Sequence, residues 1–144
     1  MVIGIIGESC TGKSTLAAGI ADRIGGKIFT GKDYLRLAKN ESIARALFGK
    51  KLAAALTGDN IIYVIAEREQ LALLPQGARR ILVTAELDTI KERFAQRMRG
   101  NLPDPVAAML ERRHGCFDNE VCDLRVISGQ TDLEEVWKTV EGWI

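Results

Sequence analysis

The sequence predicts an α/β domain in which a five-stranded parallel sheet carries helices on both faces, and three observations lead there. Five short apolar runs are near-continuous rather than alternating, as strands buried on both faces require. Segments with helical spacing separate them, the pattern of repeated βαβ units. A glycine-rich turn falls directly between the first strand and the first helix.

The predicted strands are VIGII at 2–6, KIFT at 27–30, NIIYVIA at 60–66, RILVTA at 80–85 and DLRVI at 123–127. Helical spacing covers 13–24, a pair of helices within 32–56, a short segment at 67–74, and then 87–99, 103–113 and 132–142. Thr131 through Glu134 read as a capping box, which starts the last helix there. Trp137 and Trp143, on its amphipathic face, read as packing residues. No repeat, low-complexity segment or linker divides the chain, so residues 1–144 are expected to form one domain.

Composition narrows the function classes. With 47% hydrophobic and 27% charged residues the chain matches an ordinary globular protein rather than a disordered or fibrous one. A net charge of +1 gives no global field for polymeric nucleic acid or an anionic membrane, and no protein partner is inferred. A basic stretch over 91–113 does precede an acidic one over 117–144, and solvated helix faces account for such a pattern as readily as binding does. Cys10, Cys116 and Cys122 form no CxxC pair and leave an odd thiol, which fits a reducing cytoplasm. The apolar start runs into Glu8, too early for a signal-peptide core, and no run approaches the roughly 20 apolar residues of a membrane span.

The chemistry concentrates at residues 7–14, GESCTGKS, a complete GxxxxGK(S/T) phosphate-binding loop in the strand-to-helix context that it needs. Gly7 and Gly12 permit backbone conformations that turn successive N–H groups inward as an anion nest. Lys13 reaches β- and γ-phosphates, Ser14 places a hydroxyl on Mg²⁺, and the following helix points its positive end at the same group. Residues Gly7, Glu8, Ser9, Cys10, Thr11, Gly12, Lys13, Ser14 and Thr15 are therefore the expected site for Mg·ATP, with Cys10 and Thr11 contributing backbone.

Three later stretches choose among the many classes that use this loop. VIAERE at 64–69, ILVTAELDTIKERFAQR at 81–97 and CDLRVISGQTDLEEVWKTV at 122–140, taken with the loop, resemble the P-loop nucleoside monophosphate kinases, nearest the cytidylate kinase-like branch. The resemblance spans nearly the whole chain. It implies the three-layer P-loop NTPase fold with strand order 2-3-1-4-5, acceptor-binding helices at 31–58 and a lid at 93–118. It also implies ATP-dependent phosphoryl transfer to a nucleoside monophosphate such as CMP, with Arg68 on the acceptor phosphate, Arg93 and Arg97 over the donor phosphates, and Ser128 and Gly129 near the adenine.

Independently of the resemblance, Arg93 and Arg97 stand four apart on one helix, so with Arg99 they could clamp a transferring phosphoryl group. Ordinary exposure beside Glu92 is the alternative. Arg112 and Arg113 read first as cations at a helix C-terminus, and His114 as a surface residue there. Asp33 and Arg36 follow the second strand, where an acceptor would bind. Phe29 and Asp33 are also spaced like the FxDxD stretch of shikimate kinase, with Gly31 in place of the first Asp, which makes phosphorylation of a small alcohol the second reading. Asp33 as a mere helix cap is the third.

An ionised phosphate acceptor needs cations more than a base, whereas an alcohol benefits from a carboxylate. Arg36, Arg45 and Arg68 suit the former and Asp33 the latter. Two departures leave room for a nucleotide-binding module without catalysis: no strand ends in a Walker-B aspartate, with Glu67 and Asp33 the substitutes for holding Mg²⁺ through water, and the lid reads RRHGCFDNE, where Asp118 would have to stand in for a family residue.

Overall fold

The computed structural model describes residues 1–144. The strands are β1 Val2–Ile6, β2 Lys27–Thr30, β3 Ile61–Ile65, β4 Arg79–Thr84 and β5 Leu124–Ile127. They form one sheet in the order β2-β3-β1-β4-β5, with every pairing parallel, as expected. The helices are α1 Lys13–Ile24, α2 Glu41–Ala55, α3 Arg68–Leu71, α4 Leu87–Arg97, α5 Asp104–Arg113 and α6 Leu133–Glu141. The segment Asp33–Leu37 is a 3-10 turn rather than the first of two α-helices.

Period-two alternation in the central strands sorts the core into two layers. Val2 and Ile6 of β1, Ile61, Tyr63 and Ile65 of β3 and Leu82 of β4 face α2, α3 and Phe117. Ile3 and Ile5, Ile62 and Val64, Ile81 and Val83 face α1 and α6 through Leu16, Ile20, Val136, Trp137 and Val140. The two central strands are buried at every position, which is why they read as continuous apolar runs. A third, smaller cluster joins Cys10 of the loop to Ala85, Ile90 and Leu110, so α4 and α5 pack against the loop itself.

Three local expectations shift. α4 stops at Arg97 because Arg99 and Gly100 take left-handed φ of 61° and 87°, the Gly100 N–H donating back to the Ala95 carbonyl at 2.7 Å. Arg99 thus leaves the helix that carries Arg93 and Arg97. The cap of α6 is Asp132, whose carboxylate accepts from the Glu134 N–H at 3.0 Å, while Thr131 Oγ1 accepts from the Ile127 N–H at 2.8 Å. α3 is only four residues long, its start held by Gln70 Oε1, which accepts from the N–H groups of Ala66 and Glu67.

Phe48 anchors the α2 layer: it is fully buried and its ring lies 4.9 to 5.6 Å from those of Phe29, Tyr34 and Tyr63. Phe48→Ala is expected to lower unfolding free energy by about 3–5 kcal/mol, read from urea denaturation with the m-value unchanged.

Candidate functional site

β1 lies between β3 and β4, so the loop that follows it emerges at the middle of the sheet's carboxyl edge. Gly7 N–H still pairs with the Ile65 carbonyl, and a Cβ on Gly7 would stand 2.5 Å from the Val83 carbonyl oxygen and 2.9 Å from Thr11 Oγ1. Only glycine lets the backbone pass that close. Gly12 has φ 95°, which an L side chain rarely adopts, and it turns the chain into α1. Cys10 adopts φ 63° as well, its side chain buried against α4 and α5. Ser14 and Thr15 are exposed in the first turn, where the N–H groups have no intrahelical acceptor. These features fit a bound polyphosphate with its Mg²⁺: a backbone cradle, an exposed hydroxyl at Ser14 and the positive end of α1.

Lys13 is 8% exposed and its Nζ donates to the Glu8 carbonyl at 2.5 Å. Burial is the main influence on its pKa, lowering it to about 8 against the opposing Coulombic effect of Cys10, with Arg97 lowering it and Glu8 raising it more weakly.

One cleft of about 760 Å³ opens beside the loop, between α4 and the turn after β5. It brings together Gly12 and Thr15 of the loop, Arg93 and Arg97 of α4, and Ser128 and Gly129 after β5. Arg93 Nη1 donates to the Cys10 carbonyl at 3.0 Å, so it also braces the loop. Neither Arg93 nor Arg97 pairs with a carboxylate, Glu92 included. Gln96, not singled out from the sequence, shares this cleft; its place three residues after Arg93 on one helix face was the signal. Trp137 is in the core, as a packing residue should be, yet it also forms part of the cleft wall.

The residues assigned to the acceptor lie elsewhere. Asp33 accepts from the Thr30 N–H at 2.9 Å and from Arg36 at 3.1 Å, and both border a separate pocket of about 260 Å³ along β2. That carboxylate fixes the turn after the edge strand. Arg68 donates to Glu120 Oε1 at 2.6 Å and to the Cys116 carbonyl at 2.6 Å, and it does not line the cleft beside the loop. Asp118 is exposed and does not line that cleft either.

The end of α5 and the residues that follow it reach back to β3 and the loop. Arg113 does not stay at its helix end but donates to the Ala66 carbonyl at 3.1 Å and to Glu67 Oε2 at 2.8 Å. Glu67, a proposed Mg²⁺ substitute, is thereby committed to an ion pair. His114 is exposed, as expected, but its Nδ1 stands 3.2 Å from Glu8 Oε1, and the Gly115 N–H donates to Glu8 Oε2 at 3.2 Å. Glu8 thus ties the loop to residues 114–115. An acid in the loop interior and the cations Arg112 and Arg113 beside His114 were the visible signals, but only folding brings them together.

Loop, sheet order and flanking helices define the P-loop NTPase fold. Solved structures with the same architecture include a shikimate kinase from Acinetobacter baumannii in complex with shikimate, at TM-score 0.65 and 12% identity over 99% of this chain and 91% of the other. A sugar kinase from Janibacter matches at TM-score 0.65 and 18% identity, over 99% and 92%. A gluconokinase from Sinorhizobium meliloti matches at TM-score 0.63 and 17% identity, over 96% and 88%. No family model matches the sequence, and no curated protein matches it. No helix is long and apolar enough to cross a membrane.

Because an anion favours the charged form of Lys13, binding of ADP should take up a proton when the free protein is above pH 8. Affinity is expected to fall about tenfold from pH 8 to 9.5, measured by calorimetry in buffers of different ionisation enthalpy. In Lys13→Met, affinity should be low at both pH values and the proton uptake gone.

Proposed function

We propose that the chain is an ATP-dependent small-molecule kinase that transfers the γ-phosphoryl group of Mg·ATP to a hydroxyl. The observation that carries this reading is the single cleft uniting the phosphate loop with two arginines that have no carboxylate partner. A transferring phosphoryl group spreads charge over its oxygens that two guanidinium groups can meet.

In this reading Lys13 and the loop amides hold the donor, Ser14 takes Mg²⁺, and Arg93 and Arg97 close over the transferring group. Ser128 and Gly129 border the adenine. Residues 93–118 serve as lid and 31–58 as part of the acceptor side. Bound Mg²⁺ would neutralise charge between the β- and γ-phosphates; aligning donor and acceptor is the task of the protein's own groups.

For the acceptor, an alcohol is favoured over a nucleoside monophosphate such as CMP. The preference for CMP relied on Arg36, Arg45 and Arg68, and two of these are bound to Asp33 and Glu120. The similar solved structures named above include kinases of shikimate, sugars and gluconate, all of which carry hydroxyl groups. Asp33, held by Thr30 and Arg36, would act as base only after exchanging those partners.

ADP release from Mg·ATP should rise well above the water-only rate with one member of a panel of neutral sugars, gluconate, shikimate, nucleosides and nucleoside monophosphates. Arg97→Ala is expected to lower kcat on the order of 100-fold with little change in Mg·ATP affinity, and Lys13→Ala to remove activity. Mg·ATP binding without acceptor dependence anywhere on the panel would instead identify a nucleotide-binding module.

A further inference from the structure

The two sides of the loop differ in how their charges are used. On the donor side Arg93 and Arg97 have no carboxylate partner. On the other side, toward β3 and β2, four cations each have a carboxylate partner. Arg68, directly after β3, is bound to Glu120 at 2.6 Å. Arg113 is bound to Glu67 at 2.8 Å, and Arg36, beyond β2, to Asp33 at 3.1 Å. Lys32 stands 4.0 Å from Glu69.

Arg45 on α2 has no carboxylate within ion-pair distance, and Glu8 faces only the His114 imidazole and the Gly115 N–H. Around Arg68 and Arg113 the carboxylates of Glu8, Glu67 and Glu120 thus outnumber the two guanidinium groups, and each guanidinium has a carboxylate partner. Glu8, Arg68 and Arg113 also surround Cys116: burial chiefly raises its thiol pKa, Glu8 raises it further, and Arg113 and Arg68 lower it. The matched charges are therefore close neighbours rather than scattered surface pairs.

Seating an anion there would mean drawing a guanidinium from its carboxylate and leaving that carboxylate unpaired beside the new charge. An uncharged polyhydroxyl compound meets no such conflict. Its hydroxyls can donate to the carboxylate and accept from the guanidinium of a pair that stays intact.

We infer that the acceptor is an uncharged polyol, of the class of a neutral sugar or a nucleoside, and that acidic acceptors are discriminated against by the paired charges around Arg68 and Arg113. This rests on the kinase reading above and adds the charge class of the substrate to it.

The test compares acceptors that share a scaffold and differ in charge: glucose with gluconate, cytidine with CMP, and shikimate methyl ester with shikimate. Acceptor-dependent ADP release from Mg·ATP is followed with the full chain. In every pair showing turnover, kcat/KM should be about tenfold or more higher for the uncharged member, since juxtaposed like charges are a strong source of discrimination.

Glu120→Gln frees Arg68, and should reduce the neutral-to-anionic ratio by about threefold or more by raising use of the anion; Glu67→Gln should do the same through Arg113. A purely structural ion pair would change both members of a pair by one factor and leave the ratio fixed, which would count against the inference. Preference for gluconate, CMP or shikimate over its uncharged partner would overturn the inference while leaving the kinase reading in place. Absence of acceptor-dependent release with all six compounds would overturn both.

Discussion

A buried ammonium group is the constraint on which this structure turns. Lys13 is enclosed at the start of α1 with a carbonyl of its own loop as its hydrogen-bond acceptor, and burial lowers its pKa. A charge placed there is costly unless an anion comes to meet it. The surroundings keep it there all the same. Gly7 is pressed against β4, Cys10 is packed beneath α4 and α5, Arg93 binds the Cys10 carbonyl, and the Glu8 side chain is held by the Gly115 N–H. Four separate parts of the chain converge on eight residues of loop. Such preorganisation is what a phosphate site requires, because the amides must already point inward when the ligand arrives.

The strand order distributes labour around that loop. Placing β1 between β3 and β4 gives it two flanks, and the chain equips them differently. Toward β4 and β5 there is a cleft with arginines free of carboxylate partners and a glycine-containing turn. Toward β3 and β2 there is a lattice of ion pairs knitted to the segment after α5, whose Phe117 is buried in the α2 layer. The first flank suits a highly charged donor. In the proposed reaction the second takes a ligand read by hydroxyl geometry rather than by charge. Segment 113–120 therefore joins loop, β3 and core, and a change in it would be felt at both flanks.

Much of the fold was legible because its signals are local. β1 and β3 are buried at every position, so their sequences are apolar throughout, and a loop such as GESCTGKS has few other uses between a strand and a helix. That Arg93 and Arg97 share one cleft was legible too, since helical spacing alone puts them on one face. The pairing on the other flank was not. Whether Arg68 is free or bound to Glu120 depends on a contact 52 residues away, and Arg113 reaches Glu67 across 46. Asp33 looked like a substrate ligand or a helix cap, but it holds the turn after β2, a choice made by backbone geometry that the residue type does not reveal. Helix ends shifted for a similar reason: Arg99 takes a left-handed conformation that its side chain gives no hint of.

A phosphate cradle braced by α4 should tighten when a nucleotide enters it. Amide hydrogen exchange of the full chain, with and without saturating Mg·ADP, addresses this directly. Slowed exchange at residues 7–15 and in the Arg93–Arg97 turn of α4, with the β2 edge at Asp33 unchanged, is the result the account predicts. Unchanged exchange at the loop despite demonstrated binding of Mg·ADP elsewhere on the protein would contradict it.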